Sequence, residues 1–403
     1  MWYLAFHPIV SAPGPDGFSG HFFTSCWDII HLDIFNAVLD FFKLSTLPRA
    51  YTSSFLVLIP HGAVEKAKAI KDFRPISLCN LIYKIIARLF NDRLASILPL
   101  IISENQGAFV KGRNIFENIS LAQELTQEFN RKCYGHNVII KLDMGKAYDR
   151  LEWDFLFQVL LRFGFHPGWV NYIRAMFTNC WFSVLYNGGV HGFFKSTRGL
   201  RQGDPLASSL FILAQEVLSR GLTTLLDHGL VKAYHGPRGC PAISHLLFAD
   251  DTIIFTNGSK ASLTNLLRFL SKYEEASGQK INRGKSGFLM YKKTHPSRVA
   301  IVSQITGFIR KELPIHYLGV PLFVGAPRSA YFQVLLERIR RKISHWKCHQ
   351  LSKGGRIVLL QSVLLSMPIY LLSVLTPPAT VLQRLNRIFR NFLWGAKEEN
   401  ILL

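Results

Sequence analysis

SHLLFADDTIIFT, Ser244 to Thr256, holds two adjacent carboxylates between two short apolar runs. Ser244 to Phe248 and Thr252 to Thr256 are rich in branched and aromatic residues and too short for helices. They are expected to form two strands joined by a tight turn at Ala249-Asp250-Asp251. A third acid stands in a similar relation to an upstream run, because Val138 to Leu142 reads as a buried strand that ends on Asp143. Carboxylates brought together repel by about 4 kcal/mol at about 4 Å and an effective dielectric of about 20, so burying such a set without a cation is unfavourable. Hard oxygen ligands without His or Cys favour Mg²⁺ or Mn²⁺, and two such ions can organise phosphoryl transfer. The competing reading is that each acid caps its own turn.

Composition narrows the partner. The 403 residues are 49% hydrophobic and 13% aromatic, enough for a substantial core divided among two or three subdomains and too apolar for a disordered chain. Lys and Arg number 47 against 26 Asp and Glu, a net charge of +21 that favours a polyanion, nucleic acid first. The six cysteines (Cys26, Cys79, Cys133, Cys180, Cys240, Cys348) lack CxxC spacing, which suits a reducing compartment without disulfides. His345, Cys348 and His349 fall short of the four ligands of a structural zinc site. MWYLAFHPIV at the start has neither the charged region nor the cleavage site of a secretory signal. Ile357 to Leu375 carries no charge, yet Pro368 interrupts it, so a buried helix pair is expected there and no membrane partner.

No internal repeat is visible and the chain reads as one compact unit. SAPGPDGF (Ser11 to Phe18) is a rigid turn ahead of a helix from Trp27 to Lys43. Phe55 to Ile59 and Phe73 to Leu78 form a projecting hairpin around the lysine-bearing loop Glu65 to Lys71. Helices are expected over Leu81 to Leu98, ending before Pro99, over Ile115 to Lys132, and over Ala147 to Phe163, stopped by Gly164. Phe182 to Tyr186 and Phe193 to Ser196 form a second hairpin about Asn187-Gly188-Gly189. Asp204 and Pro205 read as N-cap and first residue of a helix running to Ser219, with Leu206, Leu210, Leu213 and Val217 as its buried stripe. From Tyr331 to Trp394 the pattern is helical, and Glu337 is the one acid among the basic residues between Arg328 and Arg356, which points to a duplex-backbone contact over a merely solvated face.

Several blocks then occur in one order: APGPDGF at 12–18, DFRPISLCN at 72–80, QGAFVKGR at 106–113, KLDMGKAYDRLEW at 141–153, GLRQGDPL at 199–206, FADD at 248–251, SGQKINRGKS at 277–286 and YLGVPL at 317–322. In these the chain resembles the reverse transcriptases of non-LTR (LINE-type) retrotransposons, plant ones especially. The resemblance implies an α+β, right-handed polymerase fold of fingers, palm and thumb, with an antiparallel palm sheet and a helical thumb. Residues 1–137 would be an N-terminal extension and fingers, 138–324 the palm with part of 165–205 returning to the fingers, and 325–403 a basic thumb truncated at its C-terminus. It implies RNA-directed DNA polymerase activity with Mg²⁺ or Mn²⁺ on Asp143, Asp250 and Asp251. The implied partners are an RNA template, a DNA primer, the RNA–DNA duplex and deoxynucleoside triphosphates, in the nucleus if the chain acts like its family.

Residue by residue, the resemblance makes Tyr148 the aromatic beneath the incoming sugar, against a plain buried tyrosine, and Arg74 a triphosphate contact, against a surface arginine. Gln202 and Gly203 match the loop at the nascent pair, and Lys285 the lysine that protonates pyrophosphate, with Lys280 its rival. Tyr317 to Gly319 matches the segment that positions the primer end, and Arg338, Arg340, Arg341 and Lys342 look like thumb contacts to nucleic acid. Three departures stand out: Gly145 where serine is usual, His61 where lysine is usual, and Ala207-Ser208 in place of Ser-Pro. A mostly neutral histidine would weaken triphosphate binding, and glycine would loosen the start of the helix after Asp143. The endonuclease and zinc-knuckle or RNase H regions of intact family members do not fit in the chain, which reads as an isolated polymerase core. The alternatives are an inactive retroelement remnant that binds nucleic acid and a maturase-like RNA-binding protein.

Overall fold

The structure is a computed structural model that describes residues 12–60, 69–131, 133, 135–237, 239–344 and 350–394. After α1 (Trp27–Leu44), strands β1 (Ser53–Pro60) and β2 (Phe73–Cys79) form the expected antiparallel hairpin, Ser54 opposite Cys79 and Pro60 opposite Phe73. Helices α2 (Leu81–Ile101) and α3 (Ile115–Gln127) follow. β3 (Asn137–Leu142) then leads into α4 (Ala147–Arg150), α5 (Trp153–Arg162) and α6 (Pro167–Thr178). The hairpin of β4 (Trp181–Tyr186) and β5 (Gly189–Lys195) returns to the first pair, giving a four-stranded sheet of order β2-β1-β4-β5 in which β4 runs parallel to β1. Its turn holds Asn187 and Gly188 at φ 49 and 76, the positive values that two-residue hairpins need.

α7 (Ala207–Asp227) precedes β6 (His245–Phe248), β7 (Asp251–Asn257), α8 (Lys260–Ser277), β8 (Gly287–Met290) and β9 (Ile309–Arg310). These strands make a second sheet of order β6-β7-β3-β8-β9, antiparallel except for the short β8–β9 edge pair. Alternate residues of a strand face opposite sides, and this sheet buries both. Val138, Ile140, Leu142, Ile254 and Phe288 pack with Leu210 and Leu213 of α7 and Leu266 and Leu270 of α8. On the other face Ile139, Ile253, Phe255 and Leu289 pack with Tyr317 and Leu322 of the small hairpin β10 (Ile315–Tyr317) and β11 (Val320–Leu322). The same cluster includes Leu336 and Ile339 of α10 (Gln333–Ile343) and Leu385 and Ile388 of α12 (Ala379–Trp394), with α11 (Lys353–Leu359) between them in sequence. The chain therefore has a mixed α/β build with an antiparallel central sheet, as expected.

Several boundaries differ from the sequence reading. α2 carries Pro99 within its last turn and ends at Ile101, because a proline removes only one late helical bond there. The helix expected to Lys132 ends at Gln127 and continues as a 3₁₀ turn over Glu128–Asn130; Lys132 lies outside the described residues. The helix expected over Ala147 to Phe163 breaks at Leu151-Glu152, where the backbone bonds elsewhere: Gly199 N–H donates to the Leu151 carbonyl and Glu152 N–H to that of Ser277, at 2.8 and 2.9 Å. α7 starts two residues after Pro205 and runs past Ser219 to Asp227. Ile357 to Leu375 is no buried helix pair. It is a short helix, a π-helical turn over Leu360–Leu364 and a four-residue helix over Ile369–Leu372, with exposed Ile357, Val358, Leu365 and Ile369. No helix among the described residues is long and apolar enough to cross a membrane. His61, most of the Glu65 to Lys71 loop and the His345, Cys348, His349 group lie outside the described residues. The cysteines among the described residues are free thiols.

Candidate active site

β6 and β7 pair down to Phe248 opposite Asp251, so the turn between them is Ala249-Asp250, with Ala249 at φ 53. β3 and β7 pair down to Leu142 opposite Thr252, and one further step sets Asp143 across from Asp251. By the two-residue period, Asp143 falls on the face of Ile139 and Lys141, and Asp251 on that of Ile253 and Phe255. Two strands distant in sequence thus deliver their acids to one end of one sheet face, and the turn adds Asp250.

Neighbouring segments hold this end in place. The Gln106 side chain is buried and its Oε1 accepts the N–H of both Ala249 and Ala108 at 3.0 Å. Gly107 N–H donates to the Leu247 carbonyl at 2.9 Å, Leu247 N–H to that of Asn105 at 2.8 Å, and Asn118 Nδ2 to Leu247 O at 2.8 Å. The segment 105–107 therefore clamps the carboxylate hairpin. Asp143 N–H donates to Ser286 Oγ at 3.0 Å and its carbonyl accepts from Asn282 N–H at 2.8 Å, which docks the 280–286 loop beside it. Gly145 N–H donates to Lys280 O at 2.8 Å, and a Cβ there would stand 3.5 Å from that oxygen, so glycine is tethered and a serine would fit.

Desolvation raises the Asp250 carboxyl above its ordinary pKa, with Asp143 pushing the same way and Arg74 opposing. Asp251 is raised likewise by desolvation, then by Asp250 and Asp143, against Lys141. Asp250 sits exposed at the turn tip, yet the protein around it excludes enough water to shift it. These are hard oxygen donors whose crowding a cation would relieve, so the set fits a divalent ion. Among the described residues, however, no three acid, His or Cys side chains already form a closed ion-holding cluster. The backbone nevertheless brings the three carboxyls close enough to act on one another's charge.

The other anticipated residues divide. Arg74 on β2 is exposed and within electrostatic range of Asp250. Tyr148 stacks on Phe211 of α7, ring centroids 4.2 Å apart and 12° from parallel. Burial pushes its hydroxyl, which lies beside Ser208, up to about 12. Gln202 donates through Nε2 to Asp149 Oδ1 at 3.2 Å and accepts Ser77 N–H at its carbonyl at 2.8 Å. Gly203 has φ 102, and a Cβ there would meet the Ser77 carbonyl at 3.0 Å, so close approach to β2 requires glycine. Lys285 is exposed on the docked loop, its N–H bonded to Asn282. Tyr317 is buried, its hydroxyl near Asn118 and Asp251 but without a well-formed hydrogen bond among the described residues. Gly319 follows at φ 79 on the exposed tip of β10–β11. Arg338, Arg341 and Lys342 are exposed on α10 and Arg340 is half-buried, on an element apart from the carboxylate end.

Three features at the site were not singled out from sequence. Lys141 interacts with Asp251 and donates to the His316 carbonyl at 2.6 Å, tying β3 to β10. Lys311 interacts with Asp143 and donates to the Lys285 carbonyl. Burial and Lys141 push its ammonium below the usual lysine range while Asp143 pulls it back. Gln106 was legible only as part of QGAFVKGR. Lys141, on the site face two residues before Asp143, could have been found by strand parity; Lys311 had no sequence signal.

The match to known proteins agrees in extent with this geometry. Residues 64–322 match the family model described as reverse transcriptase (RNA-dependent DNA polymerase). The chain is 29% identical over 401 residues, 98% of its length and 30% of the relative's, to the transposon TX1 uncharacterized 149 kDa protein of Xenopus laevis. It is 28% identical over 305 residues, 74% of its length and 26% of the relative's, to the retrovirus-related Pol polyprotein from type-2 retrotransposable element R2DM of Drosophila melanogaster. The chain thus spans less than a third of these relatives. Among solved structures, a Candida tropicalis telomerase in complex with a fragment of telomeric RNA superposes at TM-score 0.47 and 14% identity, over 95% of this chain and 59% of that one.

Proposed function

The chain belongs to the reverse transcriptase family, a non-LTR retrotransposon relative, and from that premise we propose that it extends a DNA primer on an RNA template. The observation that carries this is the strand register setting Asp143 across from Asp251 with Asp250 in the adjoining turn. In this reading residues 1–137 act as N-terminal extension and fingers, 138–324 as palm with part of 165–205 returning to the fingers, and 325–403 as thumb.

Reverse transcriptases use divalent metal ions, and here Asp143, Asp250 and Asp251 would hold them. Such ions, when bound, lower the pKa of a primer 3′-hydroxyl and neutralise charge on the triphosphate and departing pyrophosphate. Arg74, in range of Asp250, offers a planar guanidinium to the triphosphate oxygens. Tyr148, braced by Phe211, lies under the sugar and excludes a 2′-hydroxyl. Gln202 and Gly203, fastened to β2 and Asp149, form the floor beneath the nascent pair. Tyr317 to Gly319 supports the primer end. Lys285 donates a proton to pyrophosphate as a general acid in this reading, which its loop, docked beside Asp143, supports.

Primer extension on an annealed RNA template with Mg²⁺ or Mn²⁺ tests the proposal. Asp143→Asn and Asp250→Asn are expected to lose extension by several orders of magnitude, since residues acting as a unit are not additive, while duplex affinity stays. Undiminished synthesis by either variant removes the assignment.

A further inference from the structure

A cavity of about 360 Å³ opens at the β8–β9 edge of the central sheet, on the side where the apolar residues Phe129, Leu289 and Leu313 line up with the β10–β11 hairpin. Its charged lining is one-sided: Lys292, Lys293, Arg310 and Lys311 against Glu312. Arg310 Nη2 donates to the carbonyls of Tyr291 and Met290 at 3.3 and 3.5 Å. Its Nε is buried with no hydrogen-bond partner among the described residues, which is costly unless something else accepts from it.

Lys311 connects this cavity to the carboxylate end. β8 sets Gly287 opposite Lys141, and a Cβ on Gly287 would lie 2.5–2.8 Å from the side-chain carbons of Lys311. Glycine there leaves room for the Lys311 stem to lie across β8, reaching the Lys285 carbonyl and the field of Asp143. Lys311 thus interacts with Lys141 at the carboxylate end and lines the cavity together with Arg310, Lys292 and Lys293. Four cations against one acid around a cavity of this size favour an anion, and a guanidinium with ammonium groups beside it suits the several oxygens of a phosphate.

We propose that this cavity is a phosphate-binding subsite, separate from the carboxylates, with Arg310, Lys292 and Lys293 as its donors and Lys311 shared between the two. The proposal rests on the polymerase reading for the source of the phosphate, which is either a phosphodiester of the template–primer duplex or free pyrophosphate. The first fixes the strand's path beside the sheet; the second provides an exit.

Equilibrium binding of a labelled RNA–DNA duplex across a salt series, paired with titration of inorganic pyrophosphate, separates them. Lys292→Ala/Lys293→Ala changes only exposed side chains, and Arg310→Gln removes the half-buried guanidinium with its buried Nε. For a phosphodiester, the log–log salt slope falls by about 1 for each phosphate no longer neutralised, hence by about 1–2 in the double variant. For pyrophosphate, its affinity falls severalfold while the duplex slope stays. A matched pair on α8, Lys260→Ala/Lys272→Ala, lies on the helix packed against the other face and leaves both readouts in place. Both readouts unchanged in the Lys292/Lys293 and Arg310 variants, or an equal change in the α8 pair, overturns the proposal. A parent chain that binds duplex with this slope yet does not extend it overturns the polymerase reading and leaves the subsite standing.

Discussion

Tyr148 rests face to face on Phe211, so its ring has one orientation and the space above it is set by packing. Tyr148→Val keeps an apolar contact and removes that ring. Deoxynucleotide use is expected to persist, and ribonucleotide incorporation to rise by about a hundredfold, the equivalent of a steric penalty of about 3 kcal/mol. Single-turnover incorporation of matched deoxy- and ribonucleotides measures it; a folded variant with the parent's discrimination shows that Tyr148 is not the gate. His245 makes a different prediction. It is fully buried on β6 between Ser219 Oγ, 2.7 Å from Nε2, and Ser244 Oγ, 2.8 Å from Nδ1, and burial holds its pKa at about 3. The unfolded chain takes up a proton near pH 6.5 that the fold refuses. Stability from this group is therefore complete above about pH 6.5 and declines as pH falls towards about 3, by up to about 1.4 kcal/mol per unit. The raised carboxyls of Asp16, Asp149, Asp250 and Asp251 act in the opposite sense. The gap in urea midpoint between parent and His245→Gln isolates the histidine, and it is expected to narrow from pH 7 to pH 5.

At the level of elements, GLRQGDPL does more than present Gln202 and Gly203. Arg201 is 4% exposed, its guanidinium 3.8 Å from the Tyr83 ring centroid, and it donates to the carbonyls of Thr52 and Met176 at 3.1 and 3.0 Å. Asp204 lies 3.7 Å from its Nε, accepts the Tyr83 hydroxyl at 2.5 Å and receives the Leu206 N–H at 2.9 Å. The loop is thus a buried polar joint linking the first sheet, α2, α6 and the start of α7. Asp204 was expected to cap a helix beginning at Pro205; its carboxylate does accept the Leu206 N–H, but it also holds Tyr83 beside Arg201, and the α-helix begins at Ala207. Arg201→Met leaves a buried carboxylate without its cation and is expected to cost about 3–5 kcal/mol in urea unfolding. Arg88→Ala, which breaks the half-exposed pair with Asp92 on α2, is expected to cost under about 1 kcal/mol. Equal losses for the two would mean that the joint carries no special weight.

Over the whole molecule the positive charge is unevenly useful. α10 turns Leu335, Leu336 and Ile339 into the second core and leaves Arg338, Arg341 and Lys342 outside, with Arg340 at the boundary. If these face the duplex, replacing all four by alanine flattens the salt dependence of RNA–DNA binding by up to about 0.9 for each phosphate no longer neutralised. An unchanged slope in that quadruple variant marks the helix as a solvated face. Because α10 and the cavity at β8–β9 are on different elements, their effects on the slope are expected to add.

How much was readable beforehand follows from the range of the interactions. Strands β3, β6 and β7, the turn of β4–β5 and α1 were evident because alternation, turn chemistry and helical period are local, and the ordered motifs pointed to the polymerase family. The three aspartates could be nominated because each stands at the end of an apolar strand. That Asp143 comes to lie across from Asp251 is decided by strand register, which depends on which faces bury their side chains. Pro99 within α2, the break at Leu151-Glu152 and the late start of α7 had no local signal, since bonds from distant segments override propensity. Lys311 is the clearest case: nothing around it in sequence marks it. Only the glycine at 287, on a neighbouring strand, gives its side chain a path to the carboxylates.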